Sequence, residues 1–321
     1  MTRIEELNSS QEISLSQDFY DCVSKGIIFN PEIGTDVLEC CHMSANIIIH
    51  HWNHAKFLPM LFQSFECMNS AGIDFEIIIT DSGSDEKNKN NVLKLLEKHK
   101  SDQNLFTPLK ITYLIHDLDE LRKEFNDKNL DGTFHGFPYI SNSALKYCNK
   151  DIHVICDSSN IVNKNWLKGL CSPHYIFHKS KIIVKANGGD FTADSTLLLE
   201  EKDFLEEYLE YPHTYYGFGA GRGFGWSIKT TEIKRLGGFN QIFSCCGAVD
   251  DDLIYRAKLD GFQFIGHNKS LGLHRIHNEG YEQNTRKPNW GYKKLKELHQ
   301  NTEIVCNTNT EIIPIEIYKN F

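Results

Sequence analysis

Four short apolar runs, each ending on or next to a polar residue, constrain the fold of this 321-residue chain more than any other feature. They are Ala45–His50, Phe75–Asp81, Lys110–Ile115 and Ile152–Asp157, all rich in β-branched residues. Runs of this length and composition read as strands buried on both faces. Helical spacing separates them. Phe57, Leu58, Leu61, Phe62 and Phe65 form one apolar face, with Asn53 predicted as its cap; Val92, Leu95 and Leu96 line a second helix. Ile140, Ala144, Leu145 and Cys148 line a third helix that starts near Pro138. Such β-α alternation predicts a parallel sheet with right-handed crossovers and helices on both faces. Ligands of these sheets bind beyond the carboxyl ends of the strands. His50, Asp81 and Asp157 occupy those ends and are predicted to converge.

Beyond Lys181–Val184 the alternation stops. A helix is predicted near 199–210, followed by Gly217–Gly225 with five glycines at alternate positions. That stretch reads as a mobile or closely approached loop, or as plain surface. Phe262–Ile265 and Leu273–His277 look strand-like. The organisation predicted is a helical extension over 1–44, one catalytic domain over 45–280, and a tail over 281–321 packed upon it.

The charge balance, 34 Lys and Arg against 43 Asp and Glu, gives a net −9 and argues against nucleic-acid or anionic-membrane partners. No run approaches the roughly 20 apolar residues of a transmembrane helix. The opening Met1–Glu6 lacks the character of a secretory signal, so a cytoplasmic location is expected. Ten scattered cysteines without C-x-x-C spacing predict free thiols in a reducing compartment, not a zinc site.

Asp250-Asp251-Asp252 precede Leu253, Ile254 and Ala257, whose spacing places the three acids on a helix's first turn. One reading is an acidic helix start with Asp252 paired to Arg256; the other is a general base at the rim of a pocket.

The ordered features are a strand-turn-helix over 47–66, then Asp81-Ser82-Gly83-Ser84, Asp157-Ser158-Ser159-Asn160, Gly237-Gly238-Phe239, the acid-rich helix start, and His274-x-x-His277. Over roughly 45–280 this series resembles the family-2-like glycosyltransferases with the GT-A fold. Its second half is similar to the galactosyltransferase C-terminal motif. The resemblance implies an α/β protein with a Rossmann-like, mostly parallel central sheet, helices on both faces and a small second sheet toward the C-terminal half. It implies an enzyme that moves a sugar from a nucleotide-diphosphate donor, a UDP-sugar first, to a hydroxyl of a carbohydrate, glycan or protein acceptor with inversion.

The same resemblance assigns roles. His50 and His51 stand where the family cradles the base, and Asp81 and Ser82 where it meets uracil or ribose. Asp157 matches the first acid of the family's Asp-x-Asp, which holds ribose and a divalent cation (Mn2+ or Mg2+); Ser159 replaces the second. Asp157 and His277 are therefore the metal candidates. The arginine often found near the preceding helix's start is Ser141 here, so Arg222 is the candidate for the leaving diphosphate. The family's Glu-Asp pair falls on Val249-Asp250, making Asp250 the base. Asp251 is a second catalytic candidate, and Asp251, Asp252 and Trp226 are acceptor candidates, Trp226 being as well suited to the core. Neighbouring acids raise one another's pKa and titrate as a group. The departures at Ser159, Ser141 and Val249 leave a second class open, a degenerate nucleotide-sugar-binding protein. A dehydrogenase is excluded, because no G-x-G-x-x-G follows the first strand.

Overall fold

The structure is a computed structural model that describes residues 28–29, 42–68, 70, 72–101, 109–127, 134, 136–191, 214–217, 225–244, 248–275, 295, 297–298, 305–306 and 311–321. In chain order the strands are β1 (Ile28–Phe29), β2 (Met43–His51), β3 (Ile73–Asp81), β4 (Ile111–Ile115), β5 (Ile152–Asp157) and β6 (Asn160–Val162). They continue with β7 (Ile182–Phe191), β8 (Thr214–Gly217), β9 (Trp226–Lys229), β10 (Gln263–Arg275) and β11 (Glu316–Lys319). The helices are α1 (Leu58–Glu66), α2 (Glu86–Ser101), α3 (Asp119–Asp127), α4 (Phe137–Tyr147), α5 (Trp166–Ile176), α6 (Thr230–Arg235) and α7 (Val249–Leu259).

All four strands expected from the apolar runs form. They pair in parallel, β2 lying between β3 and β5 with β4 beyond β3. The chain builds outward from β2 in both directions, and the carboxyl ends of β2 and β5 lie side by side, where ligands of such sheets bind. The full order is β1-β10-β7-β9-β5-β2-β3-β4-β11, with β6 branching from β10 and β8 from β7. The fold is thus α/β with a mixed sheet. Toward the C-terminal half the strands continue the main sheet, because β9 bridges β5 and β7 through antiparallel pairing on both sides.

Strand alternation divides the core in two. Ile47, Ile49, Ile77, Ile79, Val154 and Cys156 pack with α1, α2 and α5. Ile48, Ile78, Ile155 and Ile183 pack with α4, α6 and α7 on the other face. This explains why the runs are apolar at every position rather than alternating.

Several local expectations change. Asn53 does not cap α1, which starts at Leu58 with Pro59 in its first turn. It adopts φ +56, and its side chain instead accepts from the Asp85 N–H at 2.8 Å, tying the β2 loop to the start of α2. Helices α3, α5 and α6 form beyond those the sequence predicts. In α5, Gly169 stands where a Cβ would lie 2.5 Å from His267 Nδ1, so glycine permits close packing on β10. One strand, β10, joins the two expected segments and is described as far as Arg275, with a register shift between His267 and Leu271. The predicted helix near 199–210 lies outside the described residues. From the expected helical extension, Ile28–Phe29 is described as a strand paired with β10; from the tail, β11 pairs with β4. Among the described residues no helix is long and apolar enough to cross a membrane.

Candidate active site at the strand tips

Register brings the strand ends together. His50 lies opposite Asp157 across β2 and β5, and His51 lies opposite Asp81 across β2 and β3. Adjacent strand residues point to opposite faces. His50 accordingly reaches α4, with its Nε2 2.7 Å from Ser141 Oγ and its ring 4.0 Å from that of Phe137. Ser141 Oγ donates its single proton to Phe137 O at 2.5 Å, so His50 Nε2 is the donor of that pair. Burial lowers the His50 pKa to about 3 against the opposing pull of Asp157, leaving a neutral ring.

His51 turns to the other face and is buried beside Asp81, with its Nε2 3.9 Å from Asp81 Oδ2. Burial lowers its pKa, opposed by Asp81 and Asp85. Asp81 is 0% exposed. Its Oδ1 accepts from the Ser84 N–H at 2.7 Å and its Oδ2 from Tyr113 Oη at 2.5 Å. Both oxygens are thus engaged inside the protein, and the Asp81 side chain shapes the turn. Ser82 is buried, and its carbonyl accepts from Arg122 Nη2 at 3.4 Å. A direct contact between the Asp81 carboxylate and a base or ribose would require one of these bonds to break.

Asp157 is half-buried at the end of β5. Its Oδ1 accepts from the Ser159 N–H at 2.8 Å and the Ser159 hydroxyl at 2.6 Å. Burial pushes its pKa up, but His274, the two Ser159 hydrogen bonds and His54 outweigh that and hold it below the usual carboxylate value. The expected partner His277 lies outside the described residues, as does Arg222. The histidine found acting on Asp157 is His274, carried on β10, whose register pairs it with Asn160.

The acid trio separates by role on α7. Asp252 is 3% exposed, and its Oδ2 accepts from Arg256 Nε at 2.8 Å. Arg256 also donates to Leu236 O at 2.6 Å and Gly238 O at 2.7 Å. Asp252 is therefore an internal anchor and not the acceptor contact expected of it. Asp251 is half-buried. Asp250 is half-buried too, and its Oδ1 is enclosed without a hydrogen-bond partner. Burial raises the Asp250 pKa to about 7, with Asp251 and Asp157 adding to the rise and Lys185 opposing it. Asp250 and Asp157 thus lie near enough to feel each other's charge.

Lys185 is a component that sequence reading missed. It is 3% exposed on β7. Alternation from Ile183 places it on the sheet face covered by α7. A lysine inside an apolar strand gives no sequence signal of burial, and only its counter-charge on α7 reveals it. Trp226 corrects another expectation. It is 2% exposed and packs on Phe239 with ring centroids 6.1 Å apart, so it is a core residue and not an acceptor platform.

No protein-family model and no curated protein matches this chain. Solved structures do. The mannosyltransferase PcManGT from Pyrobaculum calidifontis, in complex with GDP-Man and Mn2+, superposes with a TM-score of 0.53 at 13% identity, covering 89% of this chain and 73% of that one. The fold is the GT-A glycosyltransferase fold. S. aureus TarS 1-349 in complex with UDP-GlcNAc gives a TM-score of 0.49 at 15% identity, covering 83% of this chain and 68% of that chain. GalNAc-T7 with UDP, GalNAc and Mn2+ gives 0.47 at 11% identity, over 80% of this chain and 55% of that one.

In this GT-A chain the described donors do not by themselves make a resident metal site. Among the described residues no three His, Cys, Asp or Glu side chains group to hold an ion. Ser159 supplies a neutral hydroxyl whose proton is directed at Asp157, and a hydroxyl is a poorer ligand than a carboxylate for a hard cation.

Proposed function

We propose that this protein is a glycosyltransferase that moves a sugar from a nucleotide-diphosphate donor, a UDP-sugar first, to an acceptor hydroxyl with inversion. The observation that carries the reading is the Asp250 carboxyl, set at the start of α7 with an enclosed, unpartnered oxygen and within electrostatic reach of Asp157. A group whose pKa lies near 7 is well matched to general-base work at neutral pH. In the step proposed, the acceptor oxygen attacks the anomeric carbon as Asp250 takes its proton. The bond to the donor phosphate breaks, and its electron pair leaves with the nucleoside diphosphate. Asp157 and the loops after β2 and β3 receive the donor, with His50 as a neutral hydrogen-bonding wall. A divalent cation, Mn2+ or Mg2+, belongs to the reading only as a companion of the donor diphosphate.

A degenerate nucleotide-sugar binder is the second reading, favoured by Ser159, whose hydroxyl and amide are both committed to Asp157. One experiment separates the two. Nucleoside diphosphate release is measured from UDP-, GDP- and dTDP-sugars, with Mn2+ and with chelator, for wild type and Asp250→Asn. The transferase reading expects turnover that falls by about 10²–10⁴-fold in the variant while nucleotide binding persists. Binding without turnover in wild type supports the second reading, and full activity in Asp250→Asn removes Asp250 as base.

A further inference from the structure

Four consecutive residues of α4 hold the two halves of the site together. The Ile140 carbonyl accepts from Thr80 Oγ1 at 3.2 Å, just before the tip of β3. Ser141 engages His50 at the tip of β2. Ser143 Oγ lies 2.9 Å from His116 Nε2, and His116 Nδ1 lies 3.0 Å from Asp81 O. Asn142 faces the other way. Its Nδ2 donates to Phe239 O at 2.7 Å, and its Oδ1 accepts from the Phe239 N–H at 2.8 Å.

One amide side chain thus satisfies both backbone groups of Phe239, the residue that leads through the 3-10 turn Gln241–Phe243 toward α7. The approach is tight enough to dictate its neighbour. Gly238 has φ +69, and a Cβ there would stand 2.2 Å from Asn142 Oδ1. Arg256 holds the same turn from the α7 side through Leu236 O and Gly238 O. The turn is therefore gripped by the helix that follows it and by the helix that touches the β2 and β3 ends.

We propose that Asn142 is a positioning residue, fixing the height of α7, and with it the Asp250 carboxylate, against the donor crevice. This rests on the transferase reading above. It predicts a split that general loss of stability does not produce. In Asn142→Ala and Asn142→Asp, kcat falls by about 10²-fold, the scale of a misplacement near 1 Å in an oriented site. The KM for donor and the Kd for UDP stay within about two-fold.

The test pairs steady-state kinetics with hydrogen exchange of the intact protein. In both variants exchange is expected to rise across 249–259 and to stay unchanged across 43–51. Parallel weakening of UDP binding and kcat, or an exchange increase spread over both segments, overturns the proposal and leaves Asn142 a general stabiliser. Unchanged kcat with unchanged exchange overturns it too. If wild type transfers no sugar, the transferase reading fails by itself. The exchange difference between 249–259 and 43–51 then decides whether Asn142 positions α7.

Discussion

Asp250 differs from its two neighbours by what surrounds it, not by its chemistry. Asp252 has a guanidinium at 2.8 Å, whereas one Asp250 oxygen is enclosed with no donor. A carboxyl with its pKa raised to about 7 is mostly protonated at pH 6 and mostly ionised at pH 8. A base must be ionised, so the kcat/KM profile is expected to fall below pH 7, about ten-fold per unit, and to level above it. Lys185 favours the ionised form, so Lys185→Met is expected to move that acid limb to higher pH. A pH profile of donor turnover in both proteins checks the direction. At this scale the sequence was half legible. Three acids at a helix start announce a special environment, and the i, i+4 spacing of Asp252 and Arg256 marks the pair that forms, but no spacing rule says which of the other two is enclosed. Nor does any mark Lys185 as buried or Trp226 as core, because both are properties of packing across the sheet.

The elements are more legible in the sequence than the residues. Strands β2 to β5 follow from their β-branched composition, since an all-apolar run has few places to go except a sheet covered on both sides. Helix α5 escaped notice because Gly169 and Pro173 both weaken its local pattern, and packing against β10 overrides that. The Gly237-Gly238 turn was visible as a motif, but its fastening was not. From α7, Arg256 donates to Asp252 and to the Leu236 and Gly238 carbonyls. Removing it strands a buried carboxylate and takes a donor from the Gly238 carbonyl, while Leu236 O keeps the Cys306 N–H at 3.1 Å. Arg256→Ala is expected to cost about 3–5 kcal/mol, read as a lower urea midpoint. A midpoint within error of wild type removes this anchor from the account.

At the scale of the whole molecule, the sheet draws on both ends of the described chain, β1 beside β10 and β11 beside β4. Asn320 fastens the second of these. Its Oδ1 accepts from the Ile111 N–H at 2.8 Å, and its Nδ2 donates to Leu109 O at 3.0 Å. Asn320→Ala leaves buried backbone groups unmatched and is expected to cost about 1–3 kcal/mol, seen as a lower melting temperature. An unshifted melt would show the tail to be dispensable. Neither terminal strand was readable beforehand, because two to four residues with no flanking periodicity carry too little pattern.

The β4–β11 pairing also sets a timetable for synthesis. The Ile111 amide finds its acceptor 209 residues downstream. At roughly 5–20 residues per second, the ribosome leaves one side of an apolar strand open for about 10–40 seconds before its cover emerges. A nascent chain stalled in that interval carries a naked template for aggregation. Until β11 is made, the outer edge of β4 is therefore open to pairing with another chain.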